Sequence, residues 1–252
     1  MQVPSTENIC FTTTAMPRPE LLEITYKSFR DHIKWLDFSK ITLFLHIDRF
    51  PVNIDEQAPQ KIERVIEIAN QYFGKVIVKH GDYPNFANAV KWIFTSADKD
   101  FIFNLEDDWE LLCDIPQSIC NFFADSKVQQ VGLRATKKSN ARFVLSPCIL
   151  RSSFASKAAQ QVIRQKNPEE RIRAWNPHRP EEAFIYYPLE HEYVVLKDLG
   201  RSWMKSTAFA RGMDDWTSWK FLPNSITRAR NQVIEDQNVQ INYDIIKNPL
   251  PE

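Results

Sequence analysis

Short β-rich runs alternate with helix-spaced patterns from residue 9 to residue 105, and this alternation constrains the fold more than any other feature of the chain. Residues 9–14, 41–47, 75–80 and 100–105 read as strands. Between the first two, Leu21, Leu22, Thr25, Phe29 and Ile33 recur at helical spacing behind Pro19, a residue suited to a first helical turn. Ile62, Val65, Ile66, Ala69 and Phe73 mark a second helix, expected to close on Gly74 as its C-terminal cap. Residues 86–97 give a third helix. Strands separated by helices pair through crossovers, so the expectation is an α/β fold: a mostly parallel sheet with helices on both faces.

The remainder is less regular. Residues 130–134, 142–145 and 192–197 read as strands and 151–165 as a helix. Residues 167–188 are dense in proline and charge and read as a loop with short helical pieces, and the tail from 225 is polar and ends in prolines. No internal repeat, low-complexity tract or linker breaks the chain, so one domain over 1–252 is expected, with an irregular C-terminal half.

Glycine usage excludes several functions. Gly74, Gly81, Gly132, Gly200 and Gly212 stand too far apart to build a dinucleotide-binding loop, a Walker phosphate loop or a nucleophile elbow. Lys+Arg and Asp+Glu number 32 each, which argues against binding nucleic acid by bulk charge and leaves only a local basic groove for that role. Cys10, Cys113, Cys120 and Cys148 form no closely spaced pair, and Cys10 and Cys120 are expected as reduced, buried thiols. No signal-like segment opens the sequence and no apolar run is long enough to span a bilayer, so a soluble, cytoplasmic setting is expected. His191 and Glu192 lack the second histidine of a zinc-hydrolase motif.

The chemistry concentrates where the fourth strand ends, at Glu106, Asp107 and Asp108. In an open parallel sheet, ligands gather outside the carboxyl ends of strands. Three adjacent carboxylates repel one another, and two readings fit them: a solvated acidic turn, or a site for Mn2+ or Mg2+ shared with substrate phosphates. Asp48 follows the second strand on the same rim, either as a turn residue or as a hydrogen-bond acceptor for a nucleoside. Thr12, Thr13 and Thr14 end the first strand there.

These residues carry a resemblance. The segment 11–22, with Thr12 to Thr14 followed by Arg18, Pro19, Glu20, Leu21 and Leu22, resembles the opening of nucleotide-sugar glycosyltransferases of the GT-A fold, family-two-like members above all. The order that follows is similar: an Asp after the second strand, a helix containing Asn85, Ala87, Asn88 and Ala89, then a strand running into the acidic motif. Segments 146–151, 167–170 and 198–203 resemble later features of such enzymes, so the likeness covers about residues 9–205. It implies a nucleotide-sugar-binding half over about 9–110 and an acceptor-side half over about 111–252.

It also implies roles. Asp48 with Thr13 and Thr14 would contact nucleobase and ribose, Arg18 would belong to the same substrate-binding set, and Glu106 or Asp107 would reach the ribose or a metal-bound water. Asp108 would coordinate the metal that bridges the diphosphate. Many members complete the metal site with a histidine; Asp198 stands at the similar place here. Arg201 and Lys205, flanking Trp203, are candidates to stabilise the departing nucleoside diphosphate. An inverting enzyme needs a carboxylate base for the acceptor hydroxyl, with Glu169 and Glu170 at the family-like place and Glu181 and Glu182 as the rival pair. Trp203, Trp216 and Trp219 offer either a stacking platform or core packing.

The function expected is transfer of a sugar from a nucleoside diphosphate donor, a UDP-sugar, to a hydroxyl acceptor, with inversion preferred. The acceptor is a glycan or a hydroxymethylated DNA base; for DNA, Lys137, Lys138, Arg142, Arg151, Arg164 and Lys166 would be the basic surface. Two alternatives stay open. One is a nucleotidyltransferase using the same acidic site, and the other a non-catalytic carbohydrate- or nucleic-acid-binding protein.

Overall fold

A computed structural model describes residues 2–48, 57–81, 85–136, 142–163, 167–175, 183–190, 192–206, 209–211 and 219–221, with side chains described as far as Trp203. The first half follows the expected alternation. Strands β1 (Ile9–Ala15), β2 (Thr42–Ile47), β3 (Lys75–His80) and β4 (Phe101–Glu106) are separated by helices α1 (Pro19–His32), α2 (Ala58–Tyr72) and α3 (Phe86–Ser96). After a short β5 (Trp109–Leu111) and a 3-10 helix (Gln117–Ala124) come β6 (Val128–Leu133), β7 (Cys148–Arg151), α4 (Ser152–Ala159), α5 (Pro168–Trp175) and β8 (Ala183–Tyr187). Then follow β9 (Leu196–Asp198), α6 (Gly200–Ser206), β10 (Phe209–Arg211) and β11 (Trp219–Phe221).

Seven strands form one sheet in the order β3-β2-β1-β4-β7-β6-β8. Strands β1 to β4 run parallel; β7 is antiparallel to both β4 and β6, and β8 is parallel to β6. Since β7 alone is reversed, β6 and β8 point the same way as β1 to β4, and the carboxyl ends of all six reach one rim. Two short antiparallel pairs, β5 with β9 and β10 with β11, complete the pairing. The fold is α/β, as expected, with a mixed sheet.

Apolar residues alternating along the strands fill both faces. On one face Phe11, Leu43, Leu45 and Phe103 pack under α1 and α2 with Tyr26, Phe29, Phe38 and Phe73, and the Phe11 and Phe103 rings stack at 4.7 Å. On the other, Cys10, Phe44 and Ile102 pack against Phe94 of α3 and Phe154 of α4. Each fully buried Phe contributes roughly 2–3 kcal/mol by leaving water. Polar residues interrupt the second face, Thr12 and Asn104 among them: Thr12 Oγ1 donates to Asn104 Oδ1 at 2.9 Å, and Asn104 Nδ2 donates to the Leu145 carbonyl at 2.7 Å. On α1, Thr25 and Ser28 accept the β5 backbone N–H groups of Trp109 and Leu111, so helix hydroxyls satisfy a strand edge.

Several expected elements differ. Residues 142–145 are not a strand, although Phe143, Val144 and Leu145 are buried in the second core; the strand in this region is β7. The helix after it is shorter than 151–165, ending at Ala159. The segment 167–188 holds α5 and the sheet strand β8, and the strand expected over 192–197 begins only at Leu196. Gly74 does not cap α2 with a left-handed residue, since no described glycine has positive φ. Instead Gly74 passes so close to the 3-10 turn Phe38–Lys40 before β2 that a Cβ there would lie 1.9 Å from the Ser39 carbonyl oxygen. All four cysteines are free, with Cys10, Cys120 and Cys148 buried and Cys113 exposed. Among the described residues, no helix is long and apolar enough to cross a membrane.

Candidate functional site

The chain runs outward from β1 through β2 to β3, then returns to place β4 on the other side of β1. Strand order therefore reverses between β1 and β4, where an open α/β sheet leaves a crevice beyond its strand ends. Backbone bonds tie the ends together: Asp48 N–H donates to the Ala15 carbonyl at 2.9 Å, and Asp107 N–H to the Thr14 carbonyl at 3.2 Å. Asp48, Asp107 and Asp108 thus share one rim with Arg18.

Arg18 organises this rim. It precedes α1 and its side chain is 3% exposed. Its Nε donates to Asp107 Oδ2 at 3.1 Å, and its Nη2 donates to Asp107 Oδ1 and, at 3.0 Å, to Asp108 Oδ2. The Met16 N–H adds a 2.9 Å bond to Asp107 Oδ2. Above the guanidinium lies the buried Trp203 ring, 5.0 Å to its centroid. Burial opposes the Arg18 charge, but the Asp107 and Asp108 carboxylates outweigh it and hold the pKa above its ordinary value. Burial pushes the Asp107 carboxyl up, while Arg18 pulls it down and Asp108 raises it again.

The other acids are engaged as well. Trp109 Nε1 donates to Glu106 Oε2 at 3.1 Å. Asp198, opposite Trp109 in the β5–β9 pair, accepts the Arg201 N–H at 3.0 Å and pairs with Arg201 Nε at 2.9 Å. At the start of α6, a Cβ on Gly200 would lie 2.0 Å from Asp108 Oδ2. A divalent cation of the Mn2+ or Mg2+ kind needs open oxygen ligands. Both Asp107 oxygens, Asp108 Oδ2 and both Asp198 oxygens already face nitrogen donors. Among the described residues, no group of three or more His, Cys, Asp or Glu side chains could hold a metal ion. The described residues do not fit the metal that the resemblance implies.

On the β2 side, Asp48 is 6% exposed and its Oδ1 accepts the Asn85 N–H at 3.2 Å. Asn85 Oδ1 caps α3 by accepting the Asn88 N–H, while its Nδ2, in a residue 2% exposed, has no hydrogen-bond partner among the described residues. His46 Nδ1 lies 3.5 Å from Asp48 Oδ1. Burial lowers the His46 pKa from 6.5 to about 4, helped by Lys79 and His80, so the ring is neutral. Neither Asn85 nor His46 was expected at the site. Asn85 shows a helix-capping signal in its sequence, but nothing marks its proximity to Asp48.

The remaining candidates divide. Thr13 is fully buried and Thr14 nearly so, beneath the rim. Glu169 Oε2 accepts the Leu145 N–H at 2.8 Å and its Oε1 pairs with Arg173 Nη2 at 2.5 Å, whereas Glu170 beside it is exposed. Burial raises the Cys148 thiol above its ordinary range; a Gln130 hydrogen bond opposes this, and Glu169 and Glu106 add to it. Both glutamates therefore stand within electrostatic reach of one thiol at the amino end of β7. Glu181, Glu182, Trp216 and the side chains of Lys205 and Trp219 lie outside the described residues, as do Lys137, Lys138, Arg164 and Lys166.

No family model matches the chain. No curated protein matches it either. Among solved structures, a mannosyltransferase from Pyrobaculum calidifontis in complex with GDP-Man and Mn2+ is similar at 11% identity and a TM-score of 0.44, over 60% of this chain and 46% of that one. A cytidylyltransferase from Leptospira borgpetersenii is similar at 13% identity and a TM-score of 0.46, over 92% and 96%. TarS of S. aureus follows at 10% identity and a TM-score of 0.42, over 64% and 32%. This chain thus spans less than half of the mannosyltransferase and about a third of TarS. Likenesses at this level assign no role to any residue.

Proposed function

We propose that the chain transfers a sugar from a nucleoside diphosphate donor, a UDP-sugar, to a hydroxyl acceptor, with the donor in the crevice between the ends of β1 and β4. The observation that carries this reading is the reversal of strand order at a rim lined by buried polar groups, with Asp48 on one flank and Arg18, Asp107 and Asp108 at the reversal. Buried acceptors and the Asn85 amide suit the directed hydrogen bonds of a nucleobase and ribose. As the donor bond breaks, negative charge grows on the leaving diphosphate and needs cationic stabilisation. We assign that role to Arg201, on the first turn of α6, with Lys205 the further candidate.

The acceptor hydroxyl must lose a proton in an inverting transfer. Glu170 carries that step in this proposal, because Glu169 is committed to Leu145 and Arg173. The acceptor is a glycan or a hydroxymethylated DNA base, which salt dependence separates, since phosphate contacts weaken steeply with added salt.

The test is nucleotide release from UDP-sugars in the presence of glycan or hydroxymethylated DNA acceptors. Wild-type protein should release UDP, and Asp48→Ala should lose donor binding measured by calorimetry. Release of pyrophosphate from a nucleoside triphosphate would establish the nucleotidyltransferase instead. Binding of a glycan or polynucleotide without any nucleotide turnover would leave a binding protein.

A further inference from the structure

We propose that Arg18 occupies the cation position of the acidic triplet, so that this rim recruits no divalent metal of its own. The carboxylates at the end of β4 need a positive neighbour, because adjacent buried charges of one sign repel strongly. The structure supplies that neighbour from the same chain. Arg18 engages both oxygens of Asp107 and reaches Oδ2 of Asp108, and it is buried beneath Trp203. A guanidinium keeps its proton at every accessible pH, so it does not vacate the position on titration. A dication on Asp108 would stand against this fixed charge, on a carboxylate whose Oδ2 lies within 2.0 Å of where a Cβ on Gly200 would be.

Asp198 offers no relief, since its two oxygens serve Arg201 and the first turn of α6. The triplet therefore acts as an anchor. Asp107 and Asp108 fix Arg18, and Arg18 joins the loop after β1 to the turn after β4 and to α6. In the transfer reaction proposed above, on which this part rests, the positive charge facing the leaving diphosphate then comes from side chains.

Electron paramagnetic resonance of free Mn2+ tests the metal assignment without activity. The full chain is titrated with MnCl2 alone and with UDP, against buffer and UDP blanks, alongside Arg18→Gln, Asp108→Asn and the Arg18→Gln/Asp108→Asn double variant. Wild-type protein should leave the free Mn2+ signal at its blank value in both series. Arg18→Gln should gain a Mn2+ site, read as stoichiometric loss of the free Mn2+ signal, and the double variant should lose it. Stoichiometric Mn2+ uptake by the wild type that Asp108→Asn abolishes overturns the proposal, and so does a folded Arg18→Gln that gains no site. If circular dichroism shows Arg18→Gln unfolded, Arg18→Gln/Asp107→Asn, which removes one charge of each sign, is judged by the same criterion. Calorimetry with UDP in EDTA separates the two readings: failure to bind UDP removes the transferase, while the Mn2+ series still decides the place of Arg18.

Discussion

Gly200 and Asp108 touch so closely that a Cβ on the glycine would lie 2.0 Å from the carboxylate Oδ2. The chain enters α6 there, just after the Leu199 N–H donates to the Asp108 carbonyl at 2.8 Å. Gly200 has no positive φ, so the constraint is steric. Gly200→Ala must push either α6 or the Asp108 side chain away from Arg18. The expected cost is about 1–3 kcal/mol of stability, typical of overpacking, accompanied by weaker donor binding. Thermal unfolding and calorimetry with UDP measure the two effects; an unchanged midpoint would show that the contact yields freely.

Asn104 is the polar bridge of the second face, bonded to Thr12 and to the Leu145 carbonyl. Asn104→Leu leaves a buried hydroxyl and a buried carbonyl without these bonds, at about 1–3 kcal/mol. Thr12→Val in the same background should add less than it costs alone, because the shared bond is already gone. Urea unfolding of the two single variants and the double variant checks the cycle.

His46 makes stability depend on pH. Its folded-state pKa is lowered from 6.5 to about 4, with burial first among the causes and Lys79 and His80 adding to it. Between those values the unfolded chain takes up a proton that the folded chain refuses. Stability is therefore undiminished above pH 6.5 and falls as pH drops toward 4, by at most about 3 kcal/mol. His46→Gln should flatten that part of the curve. Equal slopes for wild type and variant in chemical denaturation across this window would assign the acid sensitivity elsewhere.

The adjacent glutamates of α5 should separate cleanly. Glu169→Ala removes the acceptor of the Leu145 N–H and the partner of Arg173, costing about 1–3 kcal/mol. Glu170→Ala, at an exposed position, should stay within about 0.5 kcal/mol. Under the proposed function, Glu170→Gln lowers kcat roughly 10²- to 10⁴-fold with donor affinity retained. Retained kcat would remove Glu170 as the base.

Strands β1, β2 and β4 were legible as almost wholly buried runs and the edge strand β3 by its apolar centre Val76, Ile77 and Val78, and each is separated from the next by a helix with its own period. Beyond β4 the signals fail for physical reasons. Strand β7 has only four residues, Cys148–Arg151, and runs straight into α4, so the two periods merge. Strand β8 lies at the end of a proline- and charge-dense stretch that reads as loop, and all five of its residues are half-buried. Phe143, Val144 and Leu145 looked like a strand because a buried loop needs apolar side chains as much as a strand does. At the site, the rim positions of Asp48 and the acidic triplet followed from strand ends. The pairing of Arg18 with Asp107 did not, because the partners are 89 residues apart and only the register of β1 against β4 brings them together. The acids were read from the strand end, whereas the Arg18 cation that faces Asp107 and Asp108 was not read as their partner.

The reversed strand β7 has a consequence for traffic. By running against both its neighbours it lets β6 and β8 keep the polarity of β1 to β4, so loops from the two halves of the sheet open in a single direction. Two reactants can then approach from the same hemisphere, and a long polymer can lie across that edge, or meet it end-on, without threading around the body of the protein.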